Sequence, residues 1–137
     1  MRFESGDTRL TLDNGAYVNF DLPIKCAIEV AGVVVVALDV PRRQVMNENV
    51  FGVSEDGKIL WQIERIPDAT YPACMYTNLS VLEPGPGCLL WDLERYPAYK
   101  GLSKSYRPGS FLAGNWNGTE AIVDAKTGKV LSTFFMK

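Results

Sequence analysis

The sequence predicts an all-β fold, or a β-dominated α+β one: an antiparallel meander forming a sandwich or an incomplete barrel. Three observations predict it. Tight-turn signals at Asn14-Gly15, Asp56-Gly57, Asn117-Gly118 and Thr127-Gly128 each separate runs of strand character. Asn-Gly and Asp-Gly accept the positive φ angles of a hairpin turn, which makes them the strongest short-range hairpin signal when flanked by alternating apolar residues. The hydrophobic fraction is 47% of 137 residues, enough for a real core in one domain spanning 1–137. No convincing amphipathic helix pattern occurs; any helix would be short and lie between Asp68 and Ser105.

The elements follow in order. Thr8 to Leu12 and Ala16 to Phe20 alternate around Asn14-Gly15 and read as the first hairpin. Ile24 to Val30 runs into Ala31-Gly32, where the chain either turns a second hairpin or forms a bulge. The run from Ala31 to Leu38 holds four valines on both strand faces, so it predicts a central strand covered on both sides. Pro41 to Asn47 reads as a loop carrying Arg42 and Arg43. Asn49 to Glu64 is the clearest hairpin, and Trp61 within it is expected in the core. The last third, Ser110 to Trp116, Thr119 to Asp124 and Lys129 to Phe135, reads as a three-strand meander.

Residues 67–108 differ. Six of the eight prolines fall there, interleaved with Tyr71, Tyr76, Tyr96, Tyr99 and Tyr106. Glu83-Pro84-Gly85-Pro86-Gly87 is a forced loop, flanked by short apolar runs at Leu79 to Leu82 and Cys88 to Leu93. Long irregular segments inside a compact domain are usually functional. Tyrosine and tryptophan in loops, with an apolar body and a polar tip, suit interfaces. Tyr71, Tyr76, Trp91, Asp92, Glu94, Arg95, Tyr96 and Tyr99 are therefore the candidate partner-binding residues.

Composition excludes much chemistry. There is no histidine, which removes the commonest general base and metal ligand. Cys26, Cys74 and Cys88 show no C-x-x-C spacing, so neither a zinc site nor a disulfide framework is expected, and free thiols suit a cytoplasmic setting. The net charge of -2 argues against nucleic-acid binding, which needs a basic face. The N-terminus lacks the layout of a signal peptide, and no apolar run approaches the roughly 20 residues of a membrane span. Ser103-Lys104-Ser105 offers hydroxyls beside a lysine without a nucleophile-elbow motif, and reads as a solvated loop. The glycines at 85 and 87 alternate with prolines that donate no N–H, so no phosphate cradle forms. Asp92 and Glu94 share a face if the segment is a strand. Paired acids beside aromatics hydrolyse glycosides in some enzymes, but they equally guard an edge strand. No cofactor is implied.

Val50 to Ile63, with its Asp-Gly-Lys turn and Trp61, resembles a hairpin of the quinoprotein-type β-propeller repeat. Ala121 to Leu131 is similar, with Thr127-Gly128-Lys129 at the turn and Ser132 where the tryptophan would stand. The chain is too short for a propeller of four-stranded blades. The likeness between the two segments reads as two hairpins obeying one turn grammar, and it carries no quinone cofactor. Over its whole length the chain resembles small bacterial single-domain β-proteins, some of which serve as immunity partners of toxins. That resemblance implies a non-catalytic protein whose partner is a protein, such as a basic toxin domain that it occludes. The alternatives are a carboxylate-dependent hydrolase and a small-ligand-binding β-domain.

Overall fold

The computed structural model describes residues 3–66, 75–82 and 108–135. Among these residues there is no helix. Eleven strands run in order: β1 Phe3–Gly6, β2 Arg9–Leu12, β3 Tyr17–Asn19, β4 Ile24–Val30, β5 Val33–Leu38, β6 Val50–Val53, β7 Ile59–Gln62, β8 Tyr76–Val81, β9 Ser110–Asn115, β10 Thr119–Asp124 and β11 Val130–Phe135. They form three antiparallel sheets: β1-β2-β3, β4-β5-β6-β7 and β8-β9-β10-β11. None closes into a barrel, and the fold is sandwich-like. The expected short helix between 68 and 105 and the run from Cys88 to Leu93 lie outside the described residues.

The second sheet is the middle layer, and the valine run explains why. Side chains alternate across a strand. Val33, Val35 and Ala37 of β5 join a core with Phe111, Ala113, Ala121 and Val123 of the third sheet. Val34, Val36 and Leu38 join a second core with Leu10, Leu12 and Val18 of the first sheet. A strand buried on both faces must be apolar at successive positions, and every residue of β5 is buried.

The turns behave as their chemistry demands. Gly15, Gly57, Gly118 and Gly128 all hold positive φ between paired strands. At Ala31-Gly32 the chain turns rather than bulges: both residues have positive φ, at 50° and 79°, the pattern of a type I′ hairpin. Phe3–Gly6 is a strand that the alternation rules did not single out, because its exposed residues carry no apolar rhythm.

One end of the stack gathers the turns at Gly15, Gly32, Gly57 and Gly128, while the Gly118 turn lies at the other end. Asn14 Nδ2 donates to Glu55 O at 2.9 Å, and the Ala125 amide donates to Gly109 O at 2.9 Å. The β2–β3 turn thus abuts the β6–β7 turn, while Gly32 and Gly109 bring in the β4–β5 and β9–β10–β11 ends. Consequently β2–β3, β6–β7 and β10–β11 are corresponding hairpins of three sheets built in the same sense. The likeness of Val50–Ile63 to Ala121–Leu131 maps onto this correspondence, so it is architectural and goes beyond shared turn grammar.

Candidate functional site

Trp61 of β7, an outer strand of the second sheet, ties that sheet to the β10–β11 turn of the third. The indole Nε1–H donates to Ala125 O at 2.7 Å, and the ring stacks on Phe111 with centroids 6.0 Å apart and planes at 11°. A Cβ at Gly52 would overlap the indole, and one at Gly128 would crowd its other part. Both glycines therefore leave the space that the ring fills. Nearby, Glu64 Oε1 accepts the Val130 amide at 3.0 Å, which ties the end of β7 to the start of β11.

This arrangement leaves apolar side chains in solvent. Ile59 and Leu60 of β7 are each 50% exposed, Leu131 of β11 is 43% exposed and Phe135 is 62% exposed. Both strands are terminal in their sheets, so each also presents a backbone edge with no strand partner among the described residues. Lys58, Lys126 and Lys129 are exposed around them. Lys58 Nζ lies 3.7 Å from the Asp56 carboxylate. The Asp56 carboxyl is held below its usual range, chiefly by the Ser54 hydroxyl that donates to it. Apolar atoms in a polar rim are the composition of a protein-contact patch.

A second feature sits on β9 and β10. Glu120 lies opposite Gly114, which in turn lies opposite Asn78 of β8. A Cβ at Gly114 would overlap the Glu120 carboxylate and stand 2.7 Å from Asn78 Oδ1. Glu120 Oε2 and Asn115 Nδ2 are buried without a hydrogen-bond partner. Burial pushes the Glu120 carboxyl above its ordinary pKa. The raised folded-state value means that stability is fully present below the ordinary glutamate pKa and falls as pH rises through the folded-state value. Wild-type protein should therefore lose stability over that rise, and Glu120→Gln should flatten the loss. Denaturant midpoints of both proteins between pH 4 and 8 check this; parallel curves would refute it. Among the described residues no group of three or more Cys, Asp or Glu side chains gathers as a metal site.

Of the binding residues expected from sequence, only Tyr76 is described. It is 1% exposed, and its hydroxyl donates to Glu64 O at 3.0 Å. Its ring belongs to the core between the second and third sheets, so Tyr76 is corrected from surface anchor to core residue. Burial follows from its place at the head of β8, opposite Asn115 of a wholly buried strand. Tyr71, Trp91, Asp92, Glu94, Arg95, Tyr96 and Tyr99 lie outside the described residues, as do Cys74 and Cys88. Cys26 is a free thiol whose pKa burial raises, against the opposing effects of a backbone hydrogen bond at Leu79 and of Lys25. Trp116, beside the Asn117-Gly118 turn, is exposed. Sequence reasoning missed the apolar outer strands. Their period-2 pattern is the same whether the neighbouring face is solvent or another sheet.

A family model described as Domain of unknown function (DUF7957) matches residues 1–85, more than half of the chain. The chain belongs to that family. The match spans the first two sheets and β8. No curated protein matches the sequence. Among solved structures the chain is similar to BamB from Moraxella catarrhalis, with a TM-score of 0.52 and 17% identity over 93% of this chain. The chain spans 31% of the BamB chain. BamB is a β-propeller, and the likeness is one of fold. It agrees with the hairpin resemblance at Val50–Ile63 and with three successive sheets of one sense.

Proposed function

We propose that the chain is a protein-binding domain that acts by surface contact and performs no catalysis of its own. The observation that carries this reading is the exposure of four large apolar side chains, Ile59, Leu60, Leu131 and Phe135, on the outer strands of the second and third sheets. Water-exposed apolar side chains on an unpaired strand edge cost free energy unless something covers them, and natural proteins ordinarily blunt such edges. The aromatic segment holding Tyr71, Trp91, Arg95, Tyr96 and Tyr99 remains part of the proposal on its composition. Acids at Asp92 and Glu94 would steer a basic partner. Occlusion of a toxin is one form such binding takes; the family and the fold lend it nothing specific, and the proposal is the broader one. A cytoplasmic setting belongs to the same reading, supported by the free thiol of Cys26.

The test is affinity for a partner recovered by pull-down. Ile59→Asp with Leu131→Asp should weaken binding by about 2 kcal/mol or more, the usual threshold of an interface hot spot. Trp91→Ala, Tyr96→Ala and the pair Asp92→Lys, Glu94→Lys report on the second surface. If all of these variants bind like the parent, the reading fails. If instead the protein turns over a glycoside and Asp92→Asn stops it, the hydrolase reading replaces it.

A further inference from the structure

The outer face of the first sheet carries an arginine held in a fixed pose. Side chains alternate across a strand. Leu10, Leu12 and Val18 belong to the core shared with the second sheet, so Arg9, Thr11, Tyr17 and Asn19 face the other way. The registers place Gly6, Arg9 and Asn19 in one row across β1, β2 and β3, and Glu4, Thr11 and Tyr17 in the next. All of these except Thr11 are exposed. Arg9 is nevertheless not a loose surface side chain. Its Nε–H donates to Asn19 Oδ1 at 3.0 Å, and its Cζ lies 4.4 Å from the centroid of the Tyr17 ring. The hydrogen bond fixes how the head is turned, and the cation–π contact fixes where its plane lies. A Cβ at Gly6 would meet no atom within 4 Å, so the row beside Arg9 has open space for an incoming group.

Immobilising a long side chain opposes binding. Tyr17 and Asn19 have already immobilised this one within the fold. Asn19 takes the Nε–H, which leaves the two NH2 groups of the guanidinium as the edge that can grip an oxyanion with two parallel hydrogen bonds. Arginine and tyrosine are also the residue types that concentrate at interface hot spots. We propose that this face is a second protein contact, anchored by Arg9 on an aspartate or glutamate carboxylate of the partner. Glu4, in the neighbouring row, decides which charges fit around that anchor. It opposes a doubly charged phosphate more than a singly charged carboxylate, and it favours a basic residue beside that carboxylate. In an extended partner segment, residues two positions apart share a face. The matching segment therefore carries an acid and a base separated by one residue. This inference rests on the protein-binding reading, and adds to it a different face and the chemistry of the partner.

The probe is a synthetic peptide, Thr-Glu-Thr-Lys-Thr, blocked at both ends and titrated against the whole chain at fixed ionic strength. The Nε–H resonance of Arg9 and the ring resonances of Tyr17 report binding by NMR, and both should shift along one saturable curve. Replacing the peptide's glutamate with glutamine should weaken binding about fivefold, the upper end for an exposed ion pair. Arg9→Lys keeps the charge and removes the planar fork, so it should weaken the peptide by about as much. Asn19→Ala, which leaves Arg9 in place and frees its Nε, should also weaken it. A purely structural role for the Arg9–Tyr17–Asn19 group would lower the denaturation midpoints of these variants and give no saturable shift with the peptide. Inorganic phosphate at the same concentration should shift the Arg9 resonance less than the peptide does. Leu60→Glu with Leu131→Glu should leave peptide binding unchanged. The inference is overturned if the peptide does not shift the Arg9 resonance, if the glutamine peptide or Arg9→Lys binds equally well, or if phosphate binds more tightly than the peptide. If the peptide fails while Ile59→Asp with Leu131→Asp still weakens a recovered partner, this inference falls and the protein-binding reading stands.

Discussion

Replacing Trp61 with alanine is expected to cost about 3–5 kcal/mol, the range for removing a large buried aromatic side chain. The cost has two parts. The indole fills the space between Gly52 and Gly128 and stacks on Phe111, so its loss opens a cavity joining two sheets. Removing Nε1–H also leaves Ala125 O without its 2.7 Å donor. Neighbours relax little here, because both flanking positions are backbone. The reverse change makes the same point: Gly52→Ala should cost about 1–3 kcal/mol by overpacking against the ring. Guanidinium denaturation of both variants, with Leu60→Ala as a half-exposed control expected to lose about 1 kcal/mol or less, measures this. A Trp61→Ala midpoint equal to that of the parent would show that the two sheets do not depend on this bolt.

Asn49→Leu should cost about 3–4 kcal/mol, for a different reason. Asn49 is fully buried. Its Nδ2 donates to Leu38 O at 2.9 Å and to Tyr76 O at 2.8 Å, and its Oδ1 accepts the Tyr76 amide at 2.8 Å. One side chain thus satisfies three backbone groups at a place where β5 ends and β8 begins, so that neither strand ladder serves them. Leucine matches the volume but strands two carbonyls and one N–H out of water. Each such group costs roughly 1–3 kcal/mol. The Tyr76 amide should lose its exchange protection, which a merely weakened core would not single out. Asn14→Ala, at an exposed turn, should cost less than about 1 kcal/mol and serves as the comparison. If Asn49→Leu unfolds at the parental denaturant concentration, ordered water must be supplying those bonds.

Asn49 also marks where sequence reading stopped. An asparagine before Val50-Phe51 looks like the start of a hairpin, and nothing local distinguishes a turn residue from a buried staple. Its partner Tyr76 is 27 residues away, and that contact removed Tyr76 from the candidate surface. Trp61, by contrast, was legible as core because Ile59 and Ile63 flank it in a strong hairpin. What it packs against was not, since Ala125 is 64 residues away.

The candidate site divides the same way. Ile59, Leu60 and Leu131 were visible as strand residues, yet a strand's alternation does not say which strand ends up at an edge. That is decided when sheets stack, and here Trp61 and Glu64 tie the end of β7 to the β10–β11 turn and the first residue of β11. Determined by the sequence alone were the turns, through residues that accept positive φ, and the two-sided burial of β5, through unbroken apolar side chains. Both are local demands of backbone sterics and solvent. Only the tertiary structure decided which faces meet, which edges stay open and which polar side chains are drawn inside, because those follow from contacts between residues tens of positions apart.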